Sequence, residues 1–123
     1  MTTRVLIADD DSIVRSAILR MLRDELTGCD VEQASDGTEA LAKAQAATPA
    51  LVITDGEMRR MHGPDLIAAL RESPTLSAVP VILCSGNSRL RAVASSLGVP
   101  FYEKGVDSPR DLAGLVRAAL GRG

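Results

Sequence analysis

The sequence predicts an α/β fold built on one parallel five-stranded sheet with helices on both faces. Short apolar runs alternate with longer segments of helical period along the chain, which is the order of strands joined by crossover helices. Most of the short runs are continuously apolar, as strands covered on both faces require. No internal repeat, low-complexity run or linker interrupts the 123 residues, so a single domain over residues 1–123 is expected.

Residues 5–8, 30–34, 50–54, 79–84 and 101–103 read as the five strands, with 30–34 the least apolar. Between the first two, residues 12–26 put Val14, Ala17, Ile18, Met21 and Leu22 on one stripe and Arg15, Arg20, Arg23 and Asp24 off it, the pattern of a helix with one buried face. Gly28 is placed to stop it. Residues 38–47 form an alanine-rich second helix around Leu41 and Ala44. The third, 64–71, begins on Pro64 and buries Leu66, Ile67 and Leu70, proline being well suited to a first turn. In 88–97 the inward residues are Leu90, Val93, Ala94 and Leu97. The last helix, 108–120, opens Ser-Pro with Asp111 in its first turn, buries Leu112, Leu115, Val116 and Ala119, and ends at Gly121.

Fourteen Lys plus Arg against sixteen Asp plus Glu give a net charge of -2, so a phosphate backbone held by a broad basic field is not expected. No Trp, one Tyr and one Phe provide no platform for stacking single-stranded bases. The apolar runs fall far short of the ~20 residues a membrane-spanning helix needs. The first residues lack the basic, apolar, small order of a signal peptide, which makes the cytoplasm the expected location. Cys29 and Cys84 stand apart in apolar settings and read as reduced, packed thiols.

In an open parallel sheet the functional crevice lies beyond the carboxyl ends of the strands. The first strand ends in Asp9, Asp10 and Asp11, the third in Thr54 and Asp55, the fourth in Ser85 and Gly86, and the fifth in Glu103 and Lys104. Carboxylates converging there repel by about 4 kcal/mol per pair at contact distance in a partly screened site. One lysine cannot neutralise three acids, so a hard divalent cation, Mg²⁺, is the economical counter-charge. A carboxylate beside metal and ammonium is then a candidate phosphoryl acceptor, and Ser85 a donor to a phosphoryl oxygen.

These residues resemble the response-regulator receiver domains of two-component signalling over essentially the whole chain. The segment from Val5 through Asp9, Asp10 and Asp11 is similar to that family's first strand and acid pair. Leu51 to Asp55, followed by Met58, Met61 and Gly63, is similar to its acceptor strand and loop. Pro80 to Gly86 resembles the strand ending in its switch hydroxyl, and Phe101 to Lys104 resembles its switch aromatic and lysine.

The resemblance implies a flavodoxin-like strand order 2-1-3-4-5. It also implies that Asp55 accepts a phosphoryl group from a histidine kinase or phosphotransfer protein, in a reaction the domain itself catalyses, with slow dephosphorylation to follow. By the same resemblance Asp10 and Asp55 hold Mg²⁺ with the main-chain carbonyl of Glu57, Asp9 acts mostly through a metal-bound water, and Lys104 bonds the phosphoryl group. Ser85 and Phe101 form the switch. The face of the fourth helix, fifth strand and fifth helix carries the signal to a partner or a second copy, with Phe101, Arg110 and Arg117 as candidates.

Three positions depart from the family pattern. Arg59 stands where Pro usually follows the methionine, so a looser loop is expected. Gly105 replaces the usual Pro after the lysine, so a trans bond is expected. Glu57 puts an acid at the mouth of the site and is expected to alter phosphate lifetime. Asp11 with Ser12 reads as a helix cap, and His62 as a solvated side chain with no second metal-ligating partner. Two other functions fit parts of the sequence. A contact-only receiver-like module accounts for Glu57, Arg59 and Gly105. A haloacid-dehalogenase-like phosphatase shares the Asp9-x-Asp11 spacing with Ser85 and Lys104, but the Gly and Thr after its second acid, the acidic pair after its lysine and its cap insertion are missing.

Overall fold

The computed structural model describes residues 2–122. Strands β1 (Thr3–Ala8), β2 (Cys29–Ala34), β3 (Leu51–Asp55), β4 (Val81–Ser85) and β5 (Phe101–Glu103) form one sheet in the order β2-β1-β3-β4-β5. Every neighbouring pair is parallel. The connections are α1 (Ser12–Glu25), α2 (Gly37–Ala46), α3 (Gly63–Glu72) and α4 (Leu90–Leu97), and α5 (Pro109–Ala119) follows the last strand.

Side chains alternate across a strand, and the continuous apolar runs therefore feed two cores at once. Leu6, Ala8, Val52 and Leu83 pack with Ala40 and Ala44 of α2, Leu66, Ile67 and Leu70 of α3 and Ala94 of α4. Val5, Ile7, Leu51, Ile53, Ile82 and Cys84 pack on the other face with Ile18, Met21 and Leu22 of α1 and Leu112, Ala113 and Val116 of α5. Cys84 is buried there, and burial pushes its thiol up to about 12, which makes it an inert packing group.

The element ends differ from the sequence reading by one or two residues, each for a local reason. Asp55 belongs to β3 because it still pairs with Cys84 across the ladder. The fourth strand begins at Val81, not 79, because the Val79 N–H is spent on a turn to the Leu76 carbonyl and Pro80 has none. The fourth helix begins at Leu90, not 88, because Asn87 holds the preceding turn, its Oδ1 accepting from the Arg89 N–H at 3.1 Å. The first helix is capped by Leu26 in extended backbone, and Gly28 turns the chain into β2 from the left-handed region. Among the described residues no helix is long and apolar enough to cross a membrane.

The chain leaves β1 for β2 on one side and returns to place β3 on the other. The crevice of such a sheet opens where the order reverses, here between the carboxyl ends of β1 and β3.

Candidate functional site

Four strand ends meet at this crevice. One carboxylate oxygen from each of Asp9, Asp10 and Asp55 lies within 4.8 Å of the other two. The Lys104 ammonium reaches both buried acids, donating to Asp9 Oδ2 at 2.7 Å and Asp55 Oδ1 at 3.0 Å. Lys104 is brought there by its backbone, whose N–H continues the ladder past β5 onto the Ser85 carbonyl at 2.9 Å. The Lys104–Gly105 bond is trans, and Gly105 turns the chain at φ +80.

The two neighbouring acids that follow β1 sit in different settings. Asp9 is 2% exposed, and both its oxygens are taken, Oδ2 by Lys104 and Oδ1 by the Asp11 N–H at 2.9 Å. Asp10 is exposed. Arg15 of α1 fixes their backbone by donating to the Asp9 carbonyl at 2.6 Å and to Gln33 Oε1 at 3.1 Å. Asp11 caps α1, its side chain accepting from the Ile13 N–H, and stands outside the cluster.

Asp55 is 9% exposed. Burial pushes its carboxyl above the ordinary carboxylate value of 3.8, against the opposing pull of Lys104, and Asp9 adds to the rise. Between the ordinary value and the raised one the folded chain holds a proton that the unfolded chain releases, so stability falls as pH climbs through that window. Asp55→Asn is therefore expected to stabilise the metal-free chain at pH 7, the gain shrinking as pH falls toward the ordinary carboxylate value. Urea unfolding in chelator at both pH values measures it; equal stability at pH 7 would contradict a burial penalty on the Asp55 carboxylate.

Ser85 is 2% exposed and its Oγ accepts from the Asn87 N–H at 3.0 Å. It borders Gly56, where a Cβ would stand 3.6 Å from that oxygen. Phe101, at the start of β5, is not part of the acid cluster; it is half-buried beneath the Arg91 guanidinium, 4.9 Å from the ring centre. Glu57 turns its side chain to solvent while its backbone N–H supports the charged form of Asp55. Arg117 is bonded to the Glu25 carbonyl and carboxylate at the end of α1.

The loop from β3 to α3 is braced more firmly than its sequence suggests. Met58 is buried, the Gly63 N–H bonds the Gly56 carbonyl at 3.0 Å, and the Met58 N–H bonds His62 Nδ1 at 3.2 Å. Arg60, at φ +65, pairs with the buried Asp36. Asp36 also caps α2 through the Glu39 N–H at 2.8 Å. That cap and the Arg60 pair hold its carboxyl below the usual range, so its contribution is present above the ordinary carboxylate value and lost as pH falls through the lowered one. Asp36→Ala is expected to cost about 2 kcal/mol, mostly the lost cap, read as a lower urea midpoint; an unchanged midpoint would contradict the bracing role. None of the Arg15, Arg60 and His62 contacts was legible beforehand, because each depends on where a side chain points after the chain has folded.

Which residues fit a metal follows from donor chemistry. Clustered carboxylate oxygens are the hard ligands Mg²⁺ takes, and a single ammonium leaves the three acids under-compensated. Asp10 and Asp55 are the acids best placed to ligate, since Asp9 is already committed at both oxygens.

Residues 5–102 match the family model described as the response regulator receiver domain. A gliding motility regulatory protein of Myxococcus xanthus is 35% identical over 96% of this chain, which spans 14% of that protein's length. The alkaline phosphatase synthesis transcriptional regulatory protein PhoP of Bacillus subtilis is 28% identical over 99% of this chain, which spans 50% of its length. Among solved structures, chemotaxis response regulator CheY4 of Vibrio cholerae superposes with a TM-score of 0.85 at 28% identity, covering 98% of this chain and 100% of that one. A putative response regulator from Chloroflexus aurantiacus gives 0.89 at 25% identity, covering 99% and 100%.

Proposed function

The chain belongs to the response-regulator receiver family, which gives it a phosphoacceptor role in two-component signalling, and from that premise we propose that Asp55 is the acceptor and acts with Mg²⁺. The observation that carries the reading is the Lys104 ammonium bonded to both Asp9 and Asp55 beside the exposed Asp10. Asp10, Asp55 and the main-chain carbonyl of Glu57 would hold the cation, and Asp9 would act through a bound water. Mg²⁺ supplies neutralisation of the charge on the transferring phosphoryl oxygens.

The donor is the phosphohistidine of a kinase or phosphotransfer protein. An Asp55 carboxylate oxygen forms the new O–P bond as the P–N bond breaks, and the imidazole leaves with the electron pair and takes a proton from water. Lys104 stabilises the in-flight phosphoryl and then the product. The Ser85 hydroxyl turns from the Asn87 amide toward a phosphoryl oxygen, and Phe101 moves into the space opened near β4, a two-state change read on the α4–β5–α5 face. A downstream protein, an output domain or a second copy of the chain occupies that face. The reaction takes place in the cytoplasm, without direct nucleic-acid contact by this domain.

Intact mass after incubation with Mg²⁺ and acetyl phosphate tests this. One added phosphoryl group is expected in the wild type, and none in Asp55→Asn or in chelator. No adduct on a wild-type chain that also fails to bind Mg²⁺ would replace this reading with a contact-only module.

A further inference from the structure

The exposed His62 is bonded to the peptide that the proposed metal site depends on. A peptide unit is planar and trans, so its C=O and N–H point in opposite directions and whatever holds one orients the other. The carbonyl of Glu57 and the N–H of Met58 belong to a single such unit. The partner of that N–H is a side chain, His62 Nδ1, at 3.2 Å. The other bonds inside the loop, Gly63 N–H to the Gly56 carbonyl and Met61 N–H to the Arg59 carbonyl, act on other peptides. His62 is the N-cap residue of α3, yet its side chain makes no capping bond. Its one described hydrogen bond runs back into the loop, where Arg59 supplies none of the stiffness of a proline.

We propose that His62 is a positioning residue: its Nδ1 fixes the Glu57–Met58 peptide so that the Glu57 carbonyl is presented to the divalent cation. This rests on the metal reading given under Proposed function and names the side chain that makes the main-chain ligand available. It also gives His62 a task that a histidine with no metal-ligating neighbour otherwise lacks.

Calorimetric titration with Mg²⁺ of the wild type, His62→Phe and His62→Asn tests it. Phe keeps a planar ring without an acceptor, and Asn offers Oδ1 close to where Nδ1 stands. Loss of one hydrogen bond of ordinary net strength predicts an Mg²⁺ dissociation constant raised about three- to tenfold in His62→Phe, with His62→Asn within about twofold of wild type. In chelator the urea midpoint of His62→Phe should fall by no more than this one hydrogen bond is worth, with His62→Asn close to wild type, and His62→Leu repeats the test if the Phe ring repacks the loop. Equal affinity in wild type and His62→Phe would overturn the inference alone, as would equal weakening in His62→Phe and His62→Asn. A wild type that binds no Mg²⁺ would overturn the metal reading and this inference together.

Discussion

Lys104→Ala is expected to slow Mg²⁺-dependent phosphoryl uptake by about a hundredfold or more, the usual cost of removing one preorganised donor at a developing charge. Lys104 is the one cation bonded to the acid cluster among the described residues. Burial pulls its pKa down, but its hydrogen bonds to Asp9 and Asp55 outweigh that, and the net shift is upward. The ammonium is therefore charged throughout the working pH range. Its loss also leaves Asp9 and Asp55 buried without a counter-charge. That costs roughly 3–5 kcal/mol in a fully buried pair, and about 2 kcal/mol is expected here because the Lys104 side chain is 26% exposed and water screens the pair. Lys104→Arg should recover part of the stability while uptake stays low, since a planar fork does not replace a compact ammonium. The time course of intact mass, with urea unfolding alongside, measures both effects. Uptake by Lys104→Ala at the wild-type rate would remove Lys104 from the reaction.

Gly63→Ala is expected to be strongly destabilising. A Cβ there would run into the Asp55 carbonyl oxygen while standing 2.9 Å from Leu83 Cδ1 and 3.0 Å from Gly56 Cα. Two of these obstacles are backbone and have no rotamer in which to retreat, so overpacking of about 3 kcal/mol is expected. That is a large share of the 5–15 kcal/mol typical of a domain. Moving the loop to relieve the clash would also break the Gly63 N–H bond to the Gly56 carbonyl and shift the Glu57 peptide, so Mg²⁺ affinity should fall with stability. Gly114→Ala in α5 is the control: nothing lies within 4 Å of its Cβ, and a gain of up to ~1 kcal/mol is expected from helix propensity. Thermal unfolding of the two variants decides the matter, and a Gly63→Ala chain melting with the wild type would show that the loop is free to move.

The contrast between those glycines shows what the sequence could and could not carry. All ten elements were readable because each strand and helix announces itself by a short-range pattern, and the two-sided burial of the sheet follows from unbroken runs such as those around Ile53 and Ile82. The gathering of Asp9, Asp10, Asp55 and Lys104 was readable too, since parallel strands deliver their last residues to one edge. Contacts set by side-chain direction were not. Asp36 and Arg60 are joined only because Arg60 adopts a left-handed backbone, which no local pattern at an arginine signals. Arg117, placed by its helix position on the α4–β5–α5 face, pairs with Glu25. The loop expected to be loose at Arg59 is held by His62 and Asp36, residues whose neighbours in sequence gave no hint of either bond.

The most direct test of Asp55 as acceptor is to trap the acyl phosphate by borohydride reduction and locate the reduced residue by peptide mass spectrometry. Cleavage after Lys43 and Arg59 isolates residues 44–59, whose only acids are Asp55 and Glu57, and cleavage after Arg4 and Arg15 isolates 5–15 with Asp9, Asp10 and Asp11. Homoserine is expected at Asp55 alone, dependent on Mg²⁺. Reduction at Glu57 or within residues 5–15, with Asp55 intact, would contradict it.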